Sequence, residues 1–217
     1  MRLMIIGPQG VGKGTQSVLL SQALGVPHIS TGDLFRSHAA AQTELGRRAQ
    51  EFMNAGELVP DEVTNAMVAE RLFAEDTGIG YLLDGFPRSL DQAHWLTRTL
   101  GPDRDLQAVI VLEAPEEELI HRLLLRGRDD DRPDIIQRRL ELYRSTTHPL
   151  LDHYANLLIP INGTGAVADV QSRILAALTD RPGLATTHDG DSEPVSAASS
   201  TLPTHKPLWP RPGWAPR

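Results

Sequence analysis

The sequence predicts a three-layer α/β fold, in which helices cover both faces of a parallel β-sheet. Short apolar runs alternate along the chain with longer segments of helical periodicity, as in successive strand–helix–strand units. The first apolar run leads through a glycine-rich loop into a helix, which is the context of a phosphate-binding loop. With 217 residues, 40% of them hydrophobic, the chain can bury one sizeable core, and we expect one compact unit.

The predicted strands and helices follow from the pattern of apolar residues. Short apolar runs bounded by turn residues are typical of strands that are buried on both faces of a sheet. Such runs occupy residues 3–6, 81–83, 108–112 and 157–161, with a further short strand around His28. Helical periodicity occupies residues 13–24, 61–74, 89–100, 115–126, 133–154 and 166–178. Pro115 and Pro133 suit a first helical turn, because an N–H group there has no helical partner.

Two segments differ from this alternation. Residues 30–59 have a helical pattern interrupted by glycines, which predicts a small helical insertion after the second strand. Residues 182–217 contain seven of the sixteen prolines and little apolar periodicity, which predicts a disordered tail. The tail also contains Trp209 and Trp214, so a short partner-binding segment is the alternative to an unstructured extension.

The composition excludes several classes of protein. A formal net charge of -7 argues against a general nucleic-acid binder, whose surface is basic overall. The absence of cysteine excludes disulfides and a thiolate zinc site. No apolar run reaches the length of about 18 residues that a membrane span needs, and the first run is too short for a signal peptide. We therefore expect a soluble, cytoplasmic protein without nucleic-acid or membrane partners.

The phosphate-binding loop is predicted between the first strand and the first helix. Glycines allow successive backbone N–H groups to converge on an anion, and the helix N-terminus adds partial positive charge. Lys13 would supply a cation for the β- and γ-phosphates, and an ordinary turn with a solvated lysine is the alternative. Gly14 follows this lysine, so the hydroxyl that commonly binds Mg²⁺ is displaced to Thr15. The predicted contacts to the triphosphate are Gly10, Val11, Gly12, Lys13, Gly14 and Thr15.

Three motifs occur in order along the chain. They are Gly-Lys-Gly-Thr-Gln at residues 12–16, Ser-Thr-Gly-Asp-Leu-Phe-Arg at residues 30–36 and Asp-Gly-Phe-Pro-Arg at residues 84–88. Together they resemble the adenylate kinase family over residues 1–181, leaving only the tail outside. The resemblance implies a monomeric P-loop kinase that uses Mg²⁺ to transfer a phosphoryl group from ATP to AMP, giving two ADP. It also implies that the insertion at residues 30–59 binds AMP and that a short lid lies at about residues 126–132.

The resemblance assigns an AMP site to the insertion and to the motif at residues 84–88. Arg36 and Arg88 would bind the AMP phosphate, because a guanidinium is permanently charged and can donate two parallel hydrogen bonds; a surface ion pair is the alternative for each. The other residues assigned to AMP are Thr31, Glu57, Leu58, Val59, Gly85, Phe86, Pro87, Gln92, Arg128 and Arg139. Pyrimidine monophosphate kinases tend to have alanine in place of Thr31 and asparagine in place of Gln92, so both residues favour AMP.

A metal site is predicted where Asp84 follows the third strand. This position lies at the carboxyl edge of a parallel sheet, where ligands bind. A carboxylate there is costly to bury unless it meets a cation. The resemblance assigns Asp84, with Asp33 as a second contributor, to the hydration shell of Mg²⁺. A carboxylate that caps the following turn is the alternative for Asp84.

Arginines are concentrated on both sides of the predicted lid. Such a run of charge is commonly a solvated helix face, which is the alternative for all of them. By the resemblance, Arg122 stacks on the ATP adenine, Arg126 contacts the ATP phosphates, and the backbone of Gly165 meets the adenine. Arg128 and Arg139 reach the phosphoryl groups or AMP.

The lid itself is predicted to be short. Only Gly127 separates Arg126 from Arg128, which leaves no room for a separate β subdomain, and the zinc-bearing long lid of some relatives is excluded because cysteine is absent. Asp130 and Asp131 match the acidic pair that, in the family, pairs with neighbouring groups when the lid closes.

Phosphoryl transfer needs alignment and neutralisation of negative charge rather than a nucleophilic side chain. The predicted catalytic residues are Lys13, Arg88, Arg126, Arg128 and Arg139. The histidines have no predicted catalytic role, and His28 is predicted to be a packed polar residue. Gln9 stands where the family usually has proline. Two other functions stay open, namely a nucleotide-binding module that has lost catalysis and a kinase with another acceptor, such as a pyrimidine monophosphate.

Overall fold

The computed structural model describes residues 1–55, 57–128, 131–181 and 184. These residues form a five-stranded parallel sheet with helices on both faces, as the sequence predicts. The strands are β1 (Arg2–Ile6), β2 (His28–Ser30), β3 (Tyr81–Asp84), β4 (Ala108–Glu113) and β5 (Leu158–Asn162), in the spatial order β2-β3-β1-β4-β5. The predicted tail lies outside the described residues, except for Leu184, which packs against the core.

Side chains of β1 alternate between two parts of the core. Leu3 and Ile5 are buried in one apolar cluster, and Met4 and Ile6 are buried in another. Because side chains of a strand point alternately to the two faces of the sheet, both faces need a covering layer of helices. This arrangement confirms the three-layer fold.

The helices lie close to their predicted positions, with one exception. They are α1 (Lys13–Leu24), α2 (Thr31–Ala40), α3 (Glu44–Ala55), α4 (Asp61–Leu72), α5 (Leu90–Leu100), α6 (Glu116–Arg126), α7 (Pro133–Leu142), α8 (Leu150–His153) and α9 (Val167–Thr179). After β2, α2 and α3 occupy the predicted insertion and share an apolar cluster with α4 around Phe35 and Ala49. None of the helices in the described ranges is long and apolar enough to cross a bilayer.

The exception is the helix predicted over residues 133–154, which the structure divides. α7 is followed by a π-helical turn, Tyr143–Thr147, and then by α8. Pro149 explains the division, because its ring lacks an N–H group and would clash with the carbonyl four residues earlier in a regular α-helix. The wider turn is closed by a hydrogen bond from the amide of His148 to the carbonyl of Tyr143, at 2.8 Å. The prediction of one continuous helix is therefore wrong.

The strand registers bring several loops to one edge of the sheet. Ile5 of β1 is paired with Asp84 of β3 on one side and with Ile110 of β4 on the other. Ser30 of β2 is also paired with Asp84. Since all strands run in the same direction, the segments that follow β1, β2 and β3 leave the sheet together, at the edge where parallel sheets bind ligands.

Candidate active site

A cavity of about 900 Å³ lies at this edge of the sheet. Its walls come from the loop after β1, the start of α2, residues 57–59, the loop after β3, and side chains of α6 and α7. Every predicted site residue borders the cavity except Phe86. Phe86 is only 1% exposed and packs edge-on against Trp95 in the core, with ring centroids 5.8 Å apart. The structure thus brings the predicted donor and acceptor residues together around a shared cavity.

The loop after β1 has a backbone conformation that depends on glycine. Gly10 has a φ of +85°, and a Cβ atom there would lie 2.7 Å from the carbonyl oxygen of Leu119, so the position requires glycine. Lys13 is the first residue of α1. Its Nζ donates hydrogen bonds to the carbonyls of Gly7, at 2.7 Å, and Pro8, at 2.9 Å. The ammonium group is therefore held over the loop whose N–H groups are expected to bind an anion.

The electrostatic environment of Lys13 is unusual for a lysine. Burial lowers the pKa of its ammonium group from 10.5 to about 8. Asp84 opposes this shift by attraction, whereas Arg88, Arg126 and Arg139 add to it by repulsion. An excess of positive charge around one cavity, which a single carboxylate only partly offsets, is suited to binding a polyanion.

Asp84 provides a buried carboxylate next to the loop. Its side chain is 10% exposed, and its Oδ2 lies 3.3 Å from Nε2 of His28. The described residues include no group of three or more His, Asp or Glu side chains that could hold a metal ion by themselves. One carboxylate beside a phosphate loop nevertheless fits Mg²⁺, which keeps several waters and binds through one or two carboxylates together with substrate phosphates.

On the acceptor side, Arg88 is anchored by the protein. Its Nε donates a hydrogen bond to the carbonyl of Gly85 at 2.7 Å, and its backbone N–H donates to Oε1 of Gln92 at 2.7 Å. Burial lowers the pKa of the Arg88 guanidinium, Arg139 adds to this effect, and Asp84 opposes it. The guanidinium therefore has a fixed direction and, like Lys13, lies in a site of excess positive charge.

Thr31 and Gln92, the two residues that favour AMP by the resemblance, are each 2% exposed. The Thr31 hydroxyl donates to the carbonyl of Gly85 at 3.0 Å, and Nε2 of Gln92 donates to Oδ1 of Asp61 at 2.6 Å. Because a carboxylate can only accept hydrogen bonds, Asp61 fixes the orientation of the Gln92 amide. Asp61 lies 31 residues before Gln92 and belongs to no recognisable motif, so no signal in the sequence identifies it.

Two ion pairs involve residues of the insertion, one within α2 and one that reaches α7. Nη2 of Arg36 lies 2.5 Å from Oδ1 of Asp33, with side-chain exposures of 46% and 66%. Arg36 thus borders the cavity and also forms a surface ion pair. The role of Asp33 in binding Mg²⁺ stays a prediction. Arg138 donates from Nε and Nη2 to Oε1 of Glu57, at 2.9 Å and 2.7 Å, which links α7 to the segment that follows α3. No sequence motif predicts this pair.

At the predicted lid, Arg126 is bound to Asp131 by two hydrogen bonds, Nε to Oδ2 at 2.8 Å and Nη2 to Oδ1 at 2.6 Å. The backbone N–H of Arg128 donates to the same carboxylate at 3.0 Å. Burial raises the pKa of Asp131, but the hydrogen bonds from Arg126 and Arg128 outweigh it, and the pKa lies below its usual value. Asp130, the other member of the predicted acidic pair, lies outside the described residues.

Arg122 joins the two loops that the resemblance assigns to ATP. Its Nη1 donates to the carbonyls of Gly163, at 3.0 Å, and Val11, at 3.4 Å, while its Nε donates to Oε1 of Glu118 at 2.8 Å. Gly163 and Gly165 belong to the loop after β5, and Gly165 has a φ of +97°, which favours glycine.

Comparison with known proteins agrees with this geometry. The family model described as adenylate kinase matches residues 5–158. The chain is 51% identical over 179 residues to the adenylate kinase of Nocardia farcinica, covering 82% of this chain and 99% of that protein. It is 50% identical over 179 residues to the adenylate kinase of Corynebacterium urealyticum and 49% identical over 180 residues to that of Mycobacteroides abscessus, with the same coverage. The chain therefore belongs to the adenylate kinase family.

Proposed function

We propose that this chain catalyses the reversible, Mg²⁺-dependent transfer of a phosphoryl group from ATP to AMP, which gives two ADP and balances the adenine nucleotides. The observation that carries the proposal is the cavity in which a phosphate loop faces the anchored arginine of an acceptor site. The activity named for the relatives supports it. A cytoplasmic location and a monomeric state stay predictions.

ATP would bind with its phosphates on the loop after β1. The backbone N–H groups of residues 10–15 would donate hydrogen bonds to the phosphate oxygens. Nζ of Lys13 would leave the loop carbonyls that it now contacts and bind the β- and γ-phosphates. Arg122 and Gly165, which border the same end of the cavity, would hold the adenine.

AMP would bind on the opposite wall, with its phosphate on Arg36 and Arg88. Thr31, Gln92 and the backbone of residues 57–59 would surround the base and ribose. After its bonds to Asp61 and to the backbone of Arg88, the Gln92 amide keeps one N–H group and one lone pair for a ligand. A nucleotide base whose edge has a hydrogen-bond acceptor next to a hydrogen-bond donor can pair with both of these groups.

Asp84 would hold Mg²⁺ through bound water, with Asp33 as a second contributor. When bound, the metal ion neutralises charge on the β- and γ-phosphate oxygens. The chain contributes one buried carboxylate, whose Oδ2 is oriented by Nε2 of His28 at 3.3 Å.

The transfer requires in-line alignment and stabilisation of the charge that spreads over the transferred group. Five of the cations that border the cavity would do both: Lys13, Arg88, Arg126, Arg128 and Arg139. Closure of the lid at about residues 126–132 and of the insertion at residues 30–59 would exclude water, which is a competing phosphoryl acceptor.

An acceptor panel tests the proposed reaction. With ATP as donor, we expect kcat/KM for AMP to exceed that for UMP or CMP by about 10²-fold or more, because an acceptor that leaves buried polar groups unpaired is rejected strongly. A coupled assay of ADP formation measures each acceptor. A preference for UMP or CMP would contradict AMP specificity, and ATP binding without ADP formation from any acceptor would indicate a nucleotide-binding module.

The pKa of Lys13 predicts a pH dependence. We expect kcat/KM for ATP to fall as pH rises above about 8, because this parameter reports ionisation of the free enzyme and a neutral amine does not attract phosphate. In Lys13→Arg the guanidinium stays protonated, so this decline should be absent whatever the absolute rate. A wild-type profile that stays flat to about pH 10 would contradict the prediction.

The lowered pKa of Lys13 also determines whether the free energy of unfolding rises or falls with pH. Between pH 8 and 10.5 the unfolded chain carries a proton on Lys13 that the folded chain lacks. Burial of the charged ammonium group therefore destabilises the folded chain fully below about pH 8. This destabilisation decreases as pH rises from 8 to 10.5, so the free energy of unfolding increases over that range.

A further inference from the structure

Thr147 is a buried residue of the cavity wall that the sequence motifs do not single out. It is 8% exposed and ends the π-helical turn between α7 and α8. Its Oγ1 donates a hydrogen bond to the backbone carbonyl of Arg88, 59 residues earlier in the chain, at 3.2 Å. The hydroxyl of Thr147 therefore contacts the segment that carries the main acceptor-side arginine.

The π-helical turn explains why this hydroxyl is directed away from its own helix. Threonine hydroxyls inside helices commonly bond to the carbonyl four residues earlier, as Thr146 does here with Leu142 at 2.6 Å. One extra residue in the turn shifts the positions that follow it around the helix axis. Thr147 points at a neighbouring loop, whereas Thr146 stays bonded to the last residue of α7.

Arg88 is then held at three points along its length. Its backbone N–H is bonded to Gln92, its carbonyl to Thr147, and its Nε to Gly85. These bonds leave the terminal nitrogens of the guanidinium as the groups available to a phosphate. A displacement of about 1 Å at a group that aligns a reacting centre can cost a large factor in rate.

We propose that Thr147 is a positioning residue that, through the backbone carbonyl of Arg88, aims the guanidinium at the phosphoryl acceptor. The inference rests on the proposed function, because it assigns Arg88 to the acceptor phosphate. In this proposal Thr147 acts through Arg88 and not by contact with a substrate. Its effect should therefore appear on the acceptor side and in the transfer step, and not in the binding of ATP.

The test replaces Thr147 by valine, which keeps the branched shape and removes the hydroxyl. We expect kcat/KM for AMP to fall about tenfold, mainly through kcat, while KM for ATP changes less than about twofold. Thr147→Ser retains the hydroxyl and should recover most of the activity. Thr146→Val removes a hydroxyl from the same π-helical turn without touching Arg88, so it should keep wild-type kinetics.

A second measurement tests whether the effect passes through Arg88. In an Arg88→Lys background, Thr147→Val should cost less than about twofold, because the two changes act on one unit and are not additive. Thr147→Ala gives the same comparison should the valine variant fail to fold.

Several results would overturn the inference. They are wild-type kinetics in Thr147→Val, an equal loss in Thr146→Val, or additive losses with Arg88→Lys. A wild-type chain that forms no ADP from ATP and AMP would overturn the proposed function itself, which distinguishes the two failures.

Discussion

Replacement of Lys13 by methionine is expected to lower kcat for ADP formation about 10²- to 10³-fold, the loss seen when one preorganised charge or donor is removed from a transition state. Methionine keeps an unbranched chain and removes the ammonium group. That group lies 2.7 Å and 2.9 Å from the carbonyls of Gly7 and Pro8, where it can reach a phosphate held by the loop. A coupled assay at saturating ATP and AMP measures the loss.

Stability separates this catalytic loss from misfolding. Burial of the Lys13 ammonium opposes folding, whereas its hydrogen bonds to two loop carbonyls favour it, so Lys13→Met should unfold at a temperature close to that of wild type. Lys206 is the only other lysine of the chain, and Lys206→Met is the matched control with expected wild-type kinetics. Retention of more than about a tenth of wild-type turnover in Lys13→Met would remove Lys13 from the mechanism.

The elements that the sequence predicts correctly are those with local signals. The strand before the phosphate loop is a short apolar run, and the loop and α1 follow it directly, so strand, turn and helix can be identified within the first 24 residues. The insertion could be predicted as helical from its apolar pattern, although Gly32 and Gly46 lie in the first turns of α2 and α3 and do not separate the helices.

The hydrogen-bond partners of the site could not be predicted from the sequence, because they depend on strand register and packing. His28 and Asp84 meet only because β2 lies beside β3, which pairs Ser30 with Asp84. Asp61 meets Gln92 only through the packing of α4 beside α5. Three side chains outside the motifs each contact a predicted site residue: the carboxylate of Asp61, the imidazole of His28 and the hydroxyl of Thr147.

The division of the helix over residues 133–154 shows a similar limit. Its apolar periodicity continues across Pro149, so a pattern-based prediction extends the helix, and only the lost N–H group and the ring of the proline indicate a break. That break has a structural consequence at the site. It creates the π-helical turn from which Thr147 reaches Arg88.

Replacement of Arg88 by lysine is the second change with a large expected effect. Lysine keeps the positive charge but loses the bond from Nε to Gly85 and the paired N–H groups that bind a phosphate through two oxygens. We expect kcat/KM for AMP to fall about 10²-fold or more, with KM for ATP changed less than about threefold. Initial rates with AMP and ATP varied separately give both values.

The lysine variant distinguishes geometry from charge. If positive charge at this position were sufficient, Arg88→Lys would keep most of its activity. Arg98, an exposed residue in the last turn of α5, offers the matched control, and Arg98→Lys should match wild type. Equal losses for ATP and AMP would mean that the substitution disturbs the whole cavity, whereas a loss confined to AMP would place the Arg88 guanidinium at the acceptor phosphate.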